Sequence, residues 1–355
     1  MSFAKYIFAR AAMMAGLLGA QAALDVSSTS NIAVYWGQNS YNAASGDLEQ
    51  QNLAYYCQNS DIDVLQLSFV TVINGPGGVP EINFANIGDN CTTFDGTSLL
   101  NCPQVGDDIK TCQAAGKTIL LSIGGATYSE GGFSSESAAS AGAQLIWETF
   151  GPDSNSSALR PFGDAVVDGF DFDFESTVSN MAAFGNELRS LMDADTSKKY
   201  FLTAAPQCVY PDAADNQMLD GAVSFDAIWV QFYNNYCGIN NYVSGSSSQT
   251  NFNFDTWDNW AKNTSKNPNV KVFLGVPANT GAASTGYLSA SSLQPVIQYS
   301  KTFSSFGGVM MWDASQAYAN NGFISGVAAD LGGSSNSSSR TVSRVKRRST
   351  DRSYW

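Results

Sequence analysis

Eight short apolar runs recur at near-regular intervals along the 355 residues, and they limit the possible folds more than any other feature. They cover 32–37, 64–72, 118–123, 167–174, 201–205, 228–232, 270–276 and 309–312. Helix-like segments lie between several of them, at 48–57, 105–115, 138–150, 180–192 and 293–303. Strands buried on both faces read as continuous apolar runs, and alternation with helices argues for βα units. Eight units in a chain of this length predict an α/β fold of one catalytic domain, a (β/α)8 TIM barrel. A doubly wound open sheet is the competing arrangement. It lacks support, because no glycine-rich nucleotide loop follows the first run.

The fourth run carries the chemistry. It reads Asp168-Gly-Phe-Asp-Phe-Asp-Phe-Glu175. Successive side chains of a strand point to opposite faces, so Asp171, Asp173 and Glu175 are expected on one face and Phe170, Phe172 and Phe174 on the other. A solvated acidic edge strand would not need Phe at every second position. A calcium loop draws its ligands from an irregular, turn-rich backbone. Coupled catalytic carboxylates fit the pattern better than either. The chain contains no histidine, which removes Ser-His-Asp and Cys-His nucleophiles, HExxH zinc sites and imidazole bases. Acid–base work therefore falls to carboxylates, helped by tyrosine.

Polar and aromatic residues follow the other runs directly: Gln38-Asn39, Gly124-Gly125, Pro206-Gln207, Tyr233-Asn234, Pro277 and Trp312-Asp313. Barrel active sites sit at the C-terminal strand ends, so these residues are expected around one mouth. Ser122 has no base partner and is expected to support the aspartates from the interior. Gly124 and Gly125 are expected where two backbones approach closely.

The ends of the chain suggest export. Lys5 and Arg10 flank an apolar run at 11–19 that is too short for a membrane span, and Ala20-Gln-Ala22 is a small-x-small cleavage site. Residues 1–22 are thus expected to be a signal peptide, 23–331 the catalytic domain, and 332–355 a Ser-rich, basic, disordered tail. In an exported chain, Cys57, Cys91, Cys102, Cys112, Cys208 and Cys237 are expected to form disulfides, with the pairing open at this level. Sequons at Asn90, Asn155, Asn263 and Asn336 fit the same compartment. Of the 18 basic residues, two lie in the leader and six in the tail. That leaves 10 against 30 acidic ones in residues 24–333, a net of −20. Such a domain repels nucleic acid and anionic membranes, so neither is an expected partner.

Taken together, Tyr35-Trp-Gly-Gln-Asn39, Leu121-Ser-Ile-Gly-Gly125, the DxxDxDxE pattern ending at Glu175, Ala205-Pro-Gln-Cys208, Gln231-Phe-Tyr-Asn234 and Gly308-Val-Met-Met-Trp312 resemble the family 18 glycoside hydrolases. The likeness is to their plant-type, or class III, endochitinases, which also occur in fungi. It runs over most of residues 30–325.

The resemblance implies a secreted enzyme, extracellular or in the cell wall, that hydrolyses β-1,4 bonds between N-acetylglucosamine units with retention. It implies Glu175 as the acid, Asp173 as the group that orients the substrate acetamido, Asp171 sharing a proton with Asp173, and Tyr233 bonding the acetamido oxygen. Trp312 would floor the sugar at the cleavage point, with Tyr35, Gln38 and Gln231 as further sugar-binding positions. It also suggests the pairs Cys57–Cys112, Cys91–Cys102 and Cys208–Cys237. No metal or cofactor is expected, the partner is chitin or its oligosaccharides, and the assembly is a monomer. The alternatives are an endo-β-N-acetylglucosaminidase acting on N-glycans, or a catalytically silent chitin-binding lectin or inhibitor on the same barrel.

Overall fold

The computed structural model describes residues 24–332 except 42–44, 153, 154 and 156. The expected leader, all but the first residue of the expected tail, and the Asn336 sequon lie outside the described residues. Eight strands form the centre: β1 (Asn31–Trp36), β2 (Val64–Val72), β3 (Thr118–Gly124), β4 (Gly169–Asp173), β5 (Phe201–Ala204), β6 (Ala227–Gln231), β7 (Lys271–Pro277) and β8 (Phe306–Trp312). Neighbours pair in parallel, and β1 pairs with both β2 and β8, so the sheet closes into the expected barrel. Around it lie α1 (Leu53–Cys57), α2 (Pro103–Ala114), α3 (Glu136–Phe150), α4 (Met181–Ala194), α5 (Asn216–Leu219), α6 (Phe254–Asn263), α7 (Ala290–Ser300), α8 (Ala314–Ala319) and α9 (Phe323–Leu331).

The pleat of β4 shows why this sequence adopts this register. Phe170 and Phe172 point outward and meet Trp147 of α3 at 6.4 Å and Phe184 of α4 at 5.6 Å between ring centroids. Burying each phenyl contributes about 1.5–3 kcal/mol. A one-residue slip would turn both rings into the barrel and both aspartates into the helix layer, so the register is strongly specified. Inside the barrel, Tyr35, Phe201, Trp229, Phe273 and Met310 pack as a second core, with Leu24 among them. The Leu24 amide donates to Thr118 Oγ1 at 2.8 Å, so the chain's described start is tied to the barrel interior.

Three of the departures from the sequence expectation have a clear local cause or bear on the site. Strand β4 ends at Asp173, so Phe174 and Glu175 lie past it, and Glu175 is not the last residue of a strand. Strand β8 begins three residues before the expected start, because Gly307 and Gly308 interrupt the apolar pattern that marks a strand. The helix expected over 48–57 splits into a 3-10 turn at Gly46–Leu48 and α1. Between them Gln50 is buried, and its Oε1 accepts from the amides of Gly37 at 2.8 Å and Asn39 at 3.1 Å. That contact pins the segment to the end of β1 in a conformation no helix allows.

All three disulfides suggested by the resemblance are present: Cys57–Cys112, Cys91–Cys102 and Cys208–Cys237. The last joins the loops that follow β5 and β6, at the end of the barrel where the carboxylates emerge.

Candidate active site

Asp171 and Asp173 both point into the barrel, and their surroundings differ sharply. Asp171 is fully buried and receives four hydrogen bonds. Tyr35 Oη donates to its Oδ2 at 2.6 Å and Ser122 Oγ at 2.7 Å. Thr203 Oγ1 donates to Oδ1 at 2.7 Å and Trp229 Nε1 at 2.8 Å. Four donors occupy the four lone-pair sites of an ionised carboxylate. Burial raises the Asp171 pKa, and all four donors oppose it. Asp173 is 4% exposed and accepts from Gln231 Nε2 at 3.0 Å. Burial, and then the charges of Glu175, Asp171 and Asp212, push its carboxyl well above the usual carboxylate range. Two adjacent buried carboxyls do not both ionise, so Asp171 keeps the charge and Asp173 the proton.

Glu175 is exposed at the mouth, yet its carboxyl loses part of its hydration there, which raises it above its ordinary value. Tyr233 is 7% exposed; burial, with Asp173 and Glu175 nearby, holds its hydroxyl well above the usual tyrosine range. It therefore stays an O–H donor at any working pH. Gly124 lets these strand ends meet. Its φ is +123°, and a Cβ there would stand 2.3 Å from Asp173 O. The neighbouring Gly125 amide donates to that same oxygen at 2.7 Å.

The remaining expected residues divide into two groups. Trp312 is half-buried at the end of β8, with its ring stacked on Phe69 at 6.0 Å and tilted against Tyr35 at 5.5 Å. Gln231 also donates to Ala205 O at 2.8 Å, which fixes the amide that faces Asp173. Tyr35 and Gln38 are committed to the protein itself. Tyr35 is 1% exposed beneath the aspartates, and burial keeps its hydroxyl protonated as a donor to Asp171. Gln38 Nε2 donates to Ser68 O at 2.8 Å and Asn83 O at 3.1 Å, binding the end of β1 to its neighbours. Tyr35 is thus turned to the aspartates, and Gln38, half-buried, has its amide nitrogen held by the backbone.

Ser122 supports Asp171 as the sequence suggested. Thr203 and Trp229 went unmarked, although the period-2 pattern of β5 and β6 turns both of them inward. Asp212 and Asp215, on the loop after β5, were also missed. Asp212 accepts from the amides of Gln207 at 3.0 Å, Ala214 at 2.8 Å and Asp215 at 2.7 Å. Asp215 is fully buried, and neither carboxyl oxygen has a partner among the described residues.

A buried carboxylate without donors is costly, so Asp215 holds its proton. Burial and the charges of Asp212, Asp173 and Asp171 all raise its pKa. Its folded pKa thus lies above the unfolded value of about 3.9. The stability it contributes is full below that value and is lost as pH rises through the folded pKa. Asp215→Asn is expected to stabilise the protein by about 2 kcal/mol near pH 8 and much less near pH 4. Urea melts at the two pH values check this, and equal shifts at both would contradict it.

Similarity to known proteins agrees with this geometry. The profile of glycosyl hydrolases family 18 matches residues 31–292. A class III chitinase of Arthroderma benhamiae is 57% identical over 333 residues, which cover 93% of this chain and 94% of that protein. Endochitinase 33 of Trichoderma harzianum is 53% identical over 317 residues, 89% of this chain and 96% of that protein. Among solved structures, a xylanase and alpha-amylase inhibitor protein from Scadoxus multiflorus superimposes with a TM-score of 0.67. It is 30% identical and covers 84% of this chain and 98% of its own.

Proposed function

The chain belongs to family 18 of the glycosyl hydrolases, and from that premise we propose that it is a secreted endochitinase using substrate-assisted, retaining catalysis. The observation that carries the reading is the unequal treatment of Asp171 and Asp173. Four donors meet the carboxyl of the first, while the second is buried beside the mouth with one side-chain donor, where burial and the neighbouring carboxylates push it well above its ordinary range.

Glycoside cleavage needs a proton for the leaving oxygen and a partner for the positive charge growing at the anomeric carbon. Glu175, partly desolvated and accessible, donates the proton. The carbonyl oxygen of the substrate's own acetamido group attacks the anomeric carbon, and the glycosidic C–O bond breaks as an oxazolinium-like ring forms. Asp173 orients the acetamido N–H; as positive charge grows there, its own proton passes to Asp171, where a hydroxyl that had been donating turns to accept, and Asp173 faces the acetamido group as the carboxylate that balances the charge. The Tyr233 hydroxyl donates to the acetamido oxygen. Water then attacks the anomeric carbon from the side the leaving group vacated, with Glu175 now accepting its proton, and configuration is retained. Trp312 provides an apolar face under the sugar. Export is supported by three disulfides, which persist in oxidising compartments.

The test is hydrolysis of soluble, fully acetylated chitin oligomers, followed by NMR of the first products and a kcat/KM profile against pH. The β-anomer is expected first. Activity is expected to be greatest in the acidic range and to fall as Glu175 deprotonates. The limb should lie above the free glutamate value of about 4.3, because partial burial raises this carboxyl. The α-anomer first, or an optimum well above neutral, would rule this mechanism out. A silent binding or inhibitor protein is the second reading, favoured by the 30% identity to the Scadoxus inhibitor, and it requires binding without turnover. Cleavage of N-glycans with none of chitin oligomers would instead favour an endo-β-N-acetylglucosaminidase.

A further inference from the structure

We propose that Asn234 is a positioning residue for the reaction, one that clasps the loop after β7 against Tyr233 and so fixes the tyrosine's hydroxyl. This rests on the role proposed for Tyr233. Asn234 follows that tyrosine directly and sits in the left-handed region at φ 58°. From there its amide donates to Thr285 O at 3.1 Å. Its side-chain Oδ1 accepts from the amides of Ser284 at 2.8 Å and Thr285 at 3.2 Å. Three hydrogen bonds thus join one residue to a segment about 50 positions further along the chain.

The next residue in that segment touches the tyrosine. Gly286 has φ +105°, and a Cβ built on it would lie 2.7 Å from Tyr233 Cβ and 2.8 Å from Tyr233 Cα. The loop backbone therefore forms a wall directly against the base of the tyrosine side chain, with room only for hydrogen. On its other side the tyrosine's own loop is anchored to the barrel, where the Phe232 amide donates to Gly275 O at 3.1 Å. The Cys208–Cys237 bridge holds the same loop to the end of β5. Tyr233 is thus seated between the barrel and the 284–286 segment, and Asn234 keeps that segment in place.

A turn asparagine in the left-handed region is common, and a purely local role would need no bond to another loop. Here both acceptor contacts of the side chain are made to the β7 loop. A donor that must meet a developing charge tolerates little displacement, since a misplacement of about 1 Å can cost on the order of a hundredfold in rate.

Asn234→Gly isolates the clasp, because glycine accepts φ 58° without strain and removes only the side-chain acceptor. On a soluble chitin oligomer, kcat is expected to fall about tenfold with KM within about twofold. Asn234→Asp, which keeps the acceptor oxygen, should recover most of the loss. Gly286→Ala should lower kcat in the same way by displacing the tyrosine directly. In a Tyr233→Phe background, Asn234→Gly should cost less than about twofold, because the group it positions is gone. Equal losses in the two backgrounds, or an unchanged kcat in folded Asn234→Gly, would overturn the clasp while leaving the Tyr233 assignment standing. Full activity in Tyr233→Phe alone would overturn both.

Discussion

A folded Glu175→Gln protein is expected to bind chitin oligomers with near-normal affinity and to turn them over roughly 10²–10⁴ times more slowly. The residue lies beyond the end of β4 and is exposed, and loss of hydration raises its pKa. No side-chain hydrogen bond among the described residues holds its carboxyl, so the amide replaces it without disturbing the barrel. What is lost is the proton. The other carboxyls near the mouth are committed: Asp171 to four donors, Asp212 to three backbone amides, and Asp173 to a buried position next to Gln231. The chain has no histidine to substitute. Steady-state kinetics with a direct binding measurement on the same oligomer decide the matter, and near-normal turnover would remove Glu175 from its role.

Asp173→Asn is expected to lower kcat by about 10²–10³-fold while leaving stability close to that of the parent. The asparagine oxygen can still accept from Gln231 Nε2, and a neutral side chain already suits a site that keeps Asp173 protonated. An amide cannot lose a proton to balance the charge that grows on the acetamido group, so the loss should fall on kcat. The same logic predicts that oligomers of unacetylated glucosamine are not cleaved where that sugar precedes the scissile bond, because the nucleophile itself is missing. Measurable cleavage of such oligomers, or full activity in Asp173→Asn, would show that the acetamido group does not attack.

These expectations depend on an arrangement that could be read only partly from the sequence. Alternation along 168–175 placed Asp171 and Asp173 on one face and Phe170 and Phe172 on the other, since pleating is local and has a period of two. The same local pattern suggested that the strand continues to Glu175. It stops at Asp173 instead, level with Gly124, where the neighbouring strand also ends. The tyrosine and tryptophan at the ends of two other runs were also visible. The tyrosine's neighbour Gly286, from a different loop, was not.

By itself, the sequence determined the alternation of apolar runs and helices, and so the barrel; it also supplied the acid column and the absence of any imidazole. Tertiary structure alone decided which of two neighbouring aspartates carries the charge. The donors to Asp171 come from four strands, with Tyr35 lying 136 residues away from it. They converge because sheet register sets Ser122 and Thr203 opposite Asp171, and closure of the barrel lets the longer side chains of Tyr35 and Trp229 reach it from other levels. The same closure buried Asp215 without a donor and set the 284–286 segment against Tyr233. Local periodicity shows which way a side chain points. What it meets there depends on strands far apart in the chain, and a carboxyl's proton follows from those neighbours.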